Sequence, residues 1–423
     1  MIRKVIPLLL INLLITSAYA QTDAVLLSKK ITAGGSNASR VHAVDTGVTI
    51  ENGDVWIWGF RNSGQQGNGR TDVHPTSLAP ARVMSFVQNG LKITHVTGGA
   101  YHLIALDSNG DVWGWGQNGY HEAGAGVCSA GYVNTPCRIL KDQKVIQIGA
   151  GEYVSYALTK GGDVYAWGHG IYGQVGNGGL HSVNNLYKIP QSYFNNRKVV
   201  LLGAAYEGAY AINEDGEVFG WGDEQANSFG YSNKANHIYV KTPKKLNIPS
   251  DVGRNITHIC GGEAYTQYLT TEGKVYGIGE EAKLGRGKHY ADTTSRTATP
   301  VEILTNVKEL YCRFAGSVAI KNNDSNHIYT WGSNGSNDPY YIYGSSVTSR
   351  TINGELIRID GGKENLYYLN SQGNYYGIGY GAANKLDDKS VRNVRFPGNK
   401  MSFLENEVKN TYGADYIMGQ GYK

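Results

Sequence analysis

The chain has 423 residues, of which 41% are apolar and only 17% charged, with 57 glycines and 31 tyrosines. Such aromatic content with so little charge excludes global disorder, and glycine without a three-residue period excludes collagen. The formal net charge is +4, or about +2 once Arg3 and Lys4 leave with the segment described next; this is too small and too diffuse for a nucleic-acid partner.

In chain order, residues 1–20 come first (MIRKVIPLLLINLLITSAYA). A basic head (Arg3, Lys4), an apolar stretch over 5–15 and the A-x-A pattern of Ala18 and Ala20 form a secretory signal, with cleavage expected after Ala20. The stretch is too short for a comfortable membrane span, and no later window is long and apolar enough for one. Export to the periplasm or the medium is therefore the expectation.

A repeat governs residues 21–423. One segment recurs as GDVWIWG (53–59), GDVWGWG (110–116), GDVYAWG (162–168), GEVFGWG (216–222), GKVYGIG (273–279), HIYTWG (327–332) and GNYYGIG (373–379), at intervals of about 47–57 residues. Each copy opens on a turn, alternates large apolar residues with others and ends in glycine, the signature of a short strand leaving a hairpin. A strand–small-residue turn–strand segment precedes the copies, as in ITAGGSNASRVHAV (31–44), VTGGAYHLIAL (96–106) and ICGGEAYTQYL (259–269). Glycine there permits positive φ or close approach of neighbouring backbones. Pro80, Pro136, Pro190, Pro243 and Pro300 recur downstream and are read as opening an outer fourth strand, where a missing N–H costs no ladder bond. Four short strands cannot bury their own faces, and stacking such units around an axis solves that. The expected fold is all-β: a seven-bladed β-propeller of four-stranded antiparallel blades, forming a single domain. Residues 398–423 read as a partial further repeat involved in closure, and 408–418 resemble the start of an eighth copy, so eight blades is the alternative.

Cys128 and Cys137 lie nine apart in a loop and are expected to form a disulfide. Cys260 and Cys312 are read as buried free thiols filling small-residue slots, with a bridge between them as the alternative. No C-x-x-C pair suggests zinc or redox chemistry.

The order of small-residue turn, A-L, G-x-V and W-G-x-N-x-x-G-Q-x-G, clearest in WGFRNSGQQGNG (58–69) and WGHGIYGQVGNG (167–178), resembles the regulator of chromosome condensation repeat family. The likeness covers nearly the whole of the chain after the signal and implies seven blades. The family's histidine before A-L is kept only as His102, and the last three copies lose the G-Q-x-G loop. The family's namesake role, guanine-nucleotide exchange with chromatin binding, is not carried over, given the export signal and the low basicity.

Antiparallel counting puts the small-residue turns and the loops after W-G on one face. Tyr101, His102, Glu152, Tyr153, Tyr206, Glu207, Glu263, Tyr265, Arg313, Phe314 and Lys363 sit on the turns. Arg61, Tyr120, His121, Tyr172, Glu224, Glu280, Glu281, Tyr340 and Tyr341 sit on the loops. Exposed aromatics beside mixed charge suit a protein or glycan surface. The strongest binding candidates are Tyr101, His102, Tyr120, His121, Tyr153, Tyr172, Tyr206, Glu207, Tyr265, Arg313 and Phe314.

The two G-x-G-x-x-G matches, Gly114–Gly119 and Gly168–Gly173, lack a following helix and are the repeat's own glycines. There is no G-x-S-x-G, H-E-x-x-H or P-loop, so no catalytic residue, metal or cofactor is assigned. The expected function is a secreted, monomeric, non-catalytic binding module for an unidentified protein or glycan, in adhesion or another host or environmental contact. Two alternatives are kept. One is an inhibitor of an extracellular enzyme, because the family includes a secreted propeller that inhibits β-lactamases. The other is a glycan hydrolase or lyase whose acids converge on the axis from different blades.

Overall fold

Turns that cap themselves decide where the recurring strands begin. Asp107 Oδ1 accepts the N–H groups of Asn109 and Asp111 at 2.9 and 3.0 Å, so the hairpin closes on its own side chain. Asn213 does the same for Asp215 and Glu217, and Asn370 for Gln372 and Asn374. The strand that follows alternates, and its tryptophans (Trp58, Trp115, Trp167, Trp221, Trp331) are among the largest fully buried side chains.

The computed structural model describes residues 46–59, 62–70, 78–128, 131–224, 228–230, 238–287, 295–313, 316–332, 346–361, 365–380, 393–414 and 417–418. Within these, seven antiparallel sheets follow one another along the chain, each with its strands in sequence order. Blade 1 has three described strands, Thr46–Glu51, Asp54–Gly59 and Leu78–Arg82. Blades 2 to 7 have four strands each and span 93–140, 145–188, 199–245, 256–304, 307–351 and 356–400. The chain is a seven-bladed β-propeller. The signal segment, the first turn copy at 31–44 and Arg61, Phe314, Tyr340, Tyr341 and Lys363 lie outside the described residues.

Blades lock through their tryptophans. The indole N–H of Trp115 donates to the carbonyl of Gln65, that of Trp167 to Glu122 and that of Trp221 to Gln174, at 2.6, 2.9 and 3.0 Å. Each bond runs from one blade to the loop of the blade before it. Near the axis the backbones come so close that only glycine fits. A Cβ on Gly99 would lie 2.6 Å from the Glu152 carbonyl, and one on Gly203 2.2 Å from that of Ile259. At Gly116, inside the first G-x-G-x-x-G match, φ is +103° and a Cβ would meet the Tyr101 carbonyl at 2.4 Å.

Three expectations need correcting. The prolines do not open the outer strand. Pro80, Pro136, Pro243 and Pro300 sit inside it, at the register shift that faces the W-G or I-G end of the third strand. A bulge on an edge strand leaves an unpaired position where a missing N–H does no harm. Pro190 falls past its strand, Val183–Lys188, and precedes a short 3₁₀ turn. Second, Cys260 and Cys312 are bridged, Cα–Cα 5.7 Å, which ties the innermost strands of blades 5 and 6; Cys128–Cys137 is bridged within blade 2. Third, Ser402–Tyr412 is a helix, so residues 408–412 do not begin an eighth blade. Its Leu404 and Val408 pack with Trp56 and Trp58 of blade 1 and Tyr367 and Tyr375 of blade 7.

Candidate functional site

The small-residue turns and the loops after W-G do share a face. The N–H of the residue after the third-strand glycine donates to the turn carbonyl: Gln117 to Tyr101, His169 to Tyr153 and Asp223 to Glu207 at 2.9 Å, and Glu280 to Ala264 at 3.0 Å. Turn also joins turn, with Ala100 N–H donating to Glu152 O and Glu152 N–H to Tyr206 O, both at 2.7 Å. This backbone lattice holds the side chains of blades 2 to 4 in fixed relation.

On it lies a train of aromatic rings. Tyr101 and Tyr153 are 6.4 Å apart between centroids, Tyr153 and Tyr120 5.5 Å, Tyr120 and His169 4.4 Å, His169 and Tyr172 5.7 Å, and Tyr172 and Tyr239 5.5 Å. Tyr120, Ile171, Ile238 and Tyr239 add exposed apolar surface around it. Next to the train is an open cleft lined by residues including Tyr206, Glu207, Asp223, Ser228, Phe229 and Glu263. Burial raises the Glu207 carboxyl above its ordinary value, and the charges of Asp223 and Glu152 raise it further. The Tyr153 hydroxyl is likewise pushed up, by burial first and then by Glu152. Lys283 answers Glu263 at 3.2 Å. The chemistry here is rigid aromatic area beside an acidic floor. Among the described residues no group of three or more His, Cys, Asp or Glu could hold a metal ion.

The structure brings Tyr101, Tyr120, Tyr153, Tyr172, Tyr206 and Glu207 together on this face. It does not bring His102, Tyr265 or Arg313 there. His102 is fully buried. The Ser155 hydroxyl donates to the Glu122 carbonyl at 2.8 Å, so His102 Nε2–H donates to Ser155 Oγ at 2.9 Å. Burial drops the His102 pKa to about 3, and the ring is a neutral strut between blades 2 and 3. Tyr265 is also fully buried; its hydroxyl lies 2.7 Å from the carbonyls of Arg313 and Gly316 and fastens blade 5 to blade 6. Arg313 itself is 8% exposed. His121 is partly buried and shapes its loop with a left-handed backbone, φ +66°. Glu224 and Glu280 are buried at strand ends, and Glu281 pairs with Arg286 at 3.7 Å.

The sequence reading missed His169 and Asp223, which hold equivalent places immediately after W-G, and Tyr239, the second residue of the outer strand of blade 4. The column after W-G was a usable signal, since its backbone N–H must reach the inner turn. Glu122 was also missed, in the loop position held by Gln65 and Gln174.

Radial sheets joined blade to blade, with the residues that differ between repeats gathered on turns and loops, define a β-propeller. The chain belongs to the RCC1-like domain family, whose model matches residues 29–344. The ultraviolet-B receptor UVR8 of Arabidopsis thaliana is 28% identical over 243 residues, 57% of this chain and 52% of that protein. Human E3 ubiquitin-protein ligase HERC2 is 26% identical over 232 residues, 54% of this chain and 5% of that protein. The aligned part is thus about half of UVR8 and a small fraction of HERC2. Among solved structures, Prp20p of Saccharomyces cerevisiae matches with TM-score 0.67 at 18% identity, covering 90% of this chain and 89% of that one. Human WBSCR16 matches with TM-score 0.64 at 22% identity, covering 82% and 88%. At these identities the structural likeness shows the fold.

Proposed function

We propose that this protein is an exported, non-catalytic binding module that docks a protein partner on the turn-and-loop face of blades 2 to 4. The observation that carries this reading is the aromatic train from Tyr101 to Tyr239, held on a hydrogen-bonded lattice beside the acidic cleft. Tyrosine gives large contact area for little lost entropy, and the acidic floor favours a partner that presents lysine or arginine. Export is supported by the order of residues 1–20 and by the two disulfides, which persist in oxidising compartments. Use of the fold for protein contacts is supported by the yeast relative, which is seen bound to Kap60 and whose binding to Gsp1p and histones is described.

The test is capture of partners from the secreted and envelope fractions of the natural source, with wild type and the variant Y120A/Y172A/Y239A side by side. The expected result is a protein retained by wild type and lost by the variant, each tyrosine contributing about 1–2 kcal/mol to binding, with the unfolding midpoint within a few degrees of wild type. Equal capture by both, or retention of glycans alone on a glycan array, overturns the reading.

A further inference from the structure

Three loops can be compared position by position. The carbonyls of Gln65, Glu122 and Gln174 each accept a tryptophan N–H from the next blade, so the three residues are equivalent. Each side chain then closes its own loop. Gln65 Oε1 accepts Ser63 N–H at 2.9 Å, and Gln174 Oε1 accepts Tyr172 N–H at 2.8 Å. Gln174 also places its Nε2 donor 3.3 Å from His169 Nδ1. In blade 2 the residue is a carboxyl: Glu122 Oε2 accepts Tyr120 N–H at 2.7 Å. Glu122 is fully buried, and its Oε1 has no hydrogen-bond partner among the described residues.

An amide offers one acceptor and one donor. A carboxylate offers acceptors only, whereas a neutral carboxylic acid again offers one of each. An ionised Glu122 would leave a buried charge held only by backbone N–H groups of its own loop, with Oε1 unmet, which is costly, and water can reach it only if the loop moves. That loop carries Tyr120, whose ring lies against His169 and Tyr153 in the middle of the aromatic train.

We propose that Glu122 is a proton-operated latch on the docking face: as the neutral acid it holds loop 118–127 shut with Tyr120 seated on His169 and Tyr153, and on ionisation it lets the loop and Tyr120 go. The proposal rests on the reading of this face as the docking site and names its regulation. The surroundings favour the neutral acid. Tyr120 and His121 flank Glu122 in its own loop; Tyr153 of blade 3 feels the charges of Glu122, Glu152, Tyr101 and Tyr120; His102 meets the Glu122 backbone through Ser155; and His169 lies against Tyr120 and Tyr153. Burial lowers the pKa of both His102 and His169, so neither ring brings a positive charge at neutral pH. Burial raises the Glu122 pKa from 4.5 to about 7, against the pull of the backbone N–H groups of its own loop.

The sign follows from linkage. An acid with a raised pKa binds its proton more tightly in the folded chain, so its contribution to stability declines as pH rises from about 4.5 to about 7 and is flat above that. The variant E122Q removes the titration and keeps an acceptor and a donor. With the intact protein, the unfolding midpoint of E122Q is expected to match wild type near pH 5 and to exceed it by a few degrees at pH 8. Hydrogen exchange in 118–127 is expected to be faster in wild type than in E122Q at pH 8 and equal at pH 5. A difference in midpoint that does not change with pH, or equal exchange at pH 8, overturns the latch. Should E122Q fail to fold, wild-type exchange in 118–127, corrected for intrinsic rate, still decides: a rise between pH 6 and 8 supports the latch and a flat profile overturns it. These readouts need no partner. A latch that holds, while partner capture is indifferent to pH and to the tyrosines, would discard the docking reading alone.

Discussion

Blades 1 to 4 join one another by one contact used again and again, an indole N–H given to the preceding loop. Blades 7 and 1 join differently. Trp58 sits edge-on to Tyr367 and Tyr375 at 5.2 and 6.0 Å. Arg358 of blade 7 reaches Glu51 of blade 1 at 2.7 Å with side chains 3% and 0% exposed, and also bonds Thr49. The helix Ser402–Tyr412 fills the gap, and Tyr412 donates to Asp54 at 2.6 Å. The regular joints distribute their energy over many equivalent bonds. The closing joint concentrates it in a few unlike ones, so damage there should cost far more.

Mutations can break this contrast or sharpen it. The largest effect is expected from R358M, which strands the Glu51 carboxylate in the interior: a loss of about 3–5 kcal/mol in chemical unfolding, much of it recovered in R358M/E51L. Full stability in R358M would show that the closing joint is not special. Next comes L404A, which hollows the cluster under the helix and should cost about 2–5 kcal/mol; a cost well below 1 would mean that the helix merely rests on the blades. The smallest is Y156F at a regular joint. The Tyr156 hydroxyl donates to the Gln174 carbonyl at 2.7 Å, but that oxygen keeps the Trp221 N–H, so about 1 kcal/mol is expected by thermal unfolding.

What the sequence revealed follows the same division. The blades were legible because Gly-Asp-Val and Trp-Gly recur at fixed places, and period-two alternation leaves one orientation for each strand. The closing helix was not, since it occurs once. Its Leu404, Val408 and Tyr412 do stand four apart, a helical stripe, but 408–418 also mimics the inner turn of a blade. The face was half legible. Tyr101, Tyr153 and Glu207 occupy the turn itself, whereas His102 and Tyr265 open the strand after it, in the column held by Val154, Gly208 and Gly316. A column of valine and glycine marks an interior position, and polar identity at one copy hid that. The Cys260–Cys312 bridge was open to doubt for another reason: inner strands of adjacent blades come within bridging distance only once the ring is formed, and spacing along the chain does not encode that.

The wedge made by residues 402–412 also dictates a sequence of events during biosynthesis. A polypeptide emerges amino end first, so the early sheets can stack while later ones are still being made. The annulus nevertheless stays gapped until this late segment arrives, and until then the aromatic flanks of the first and last blades face water. Aggregation risk, and any need for a chaperone, should therefore peak just before residues 402–412 emerge.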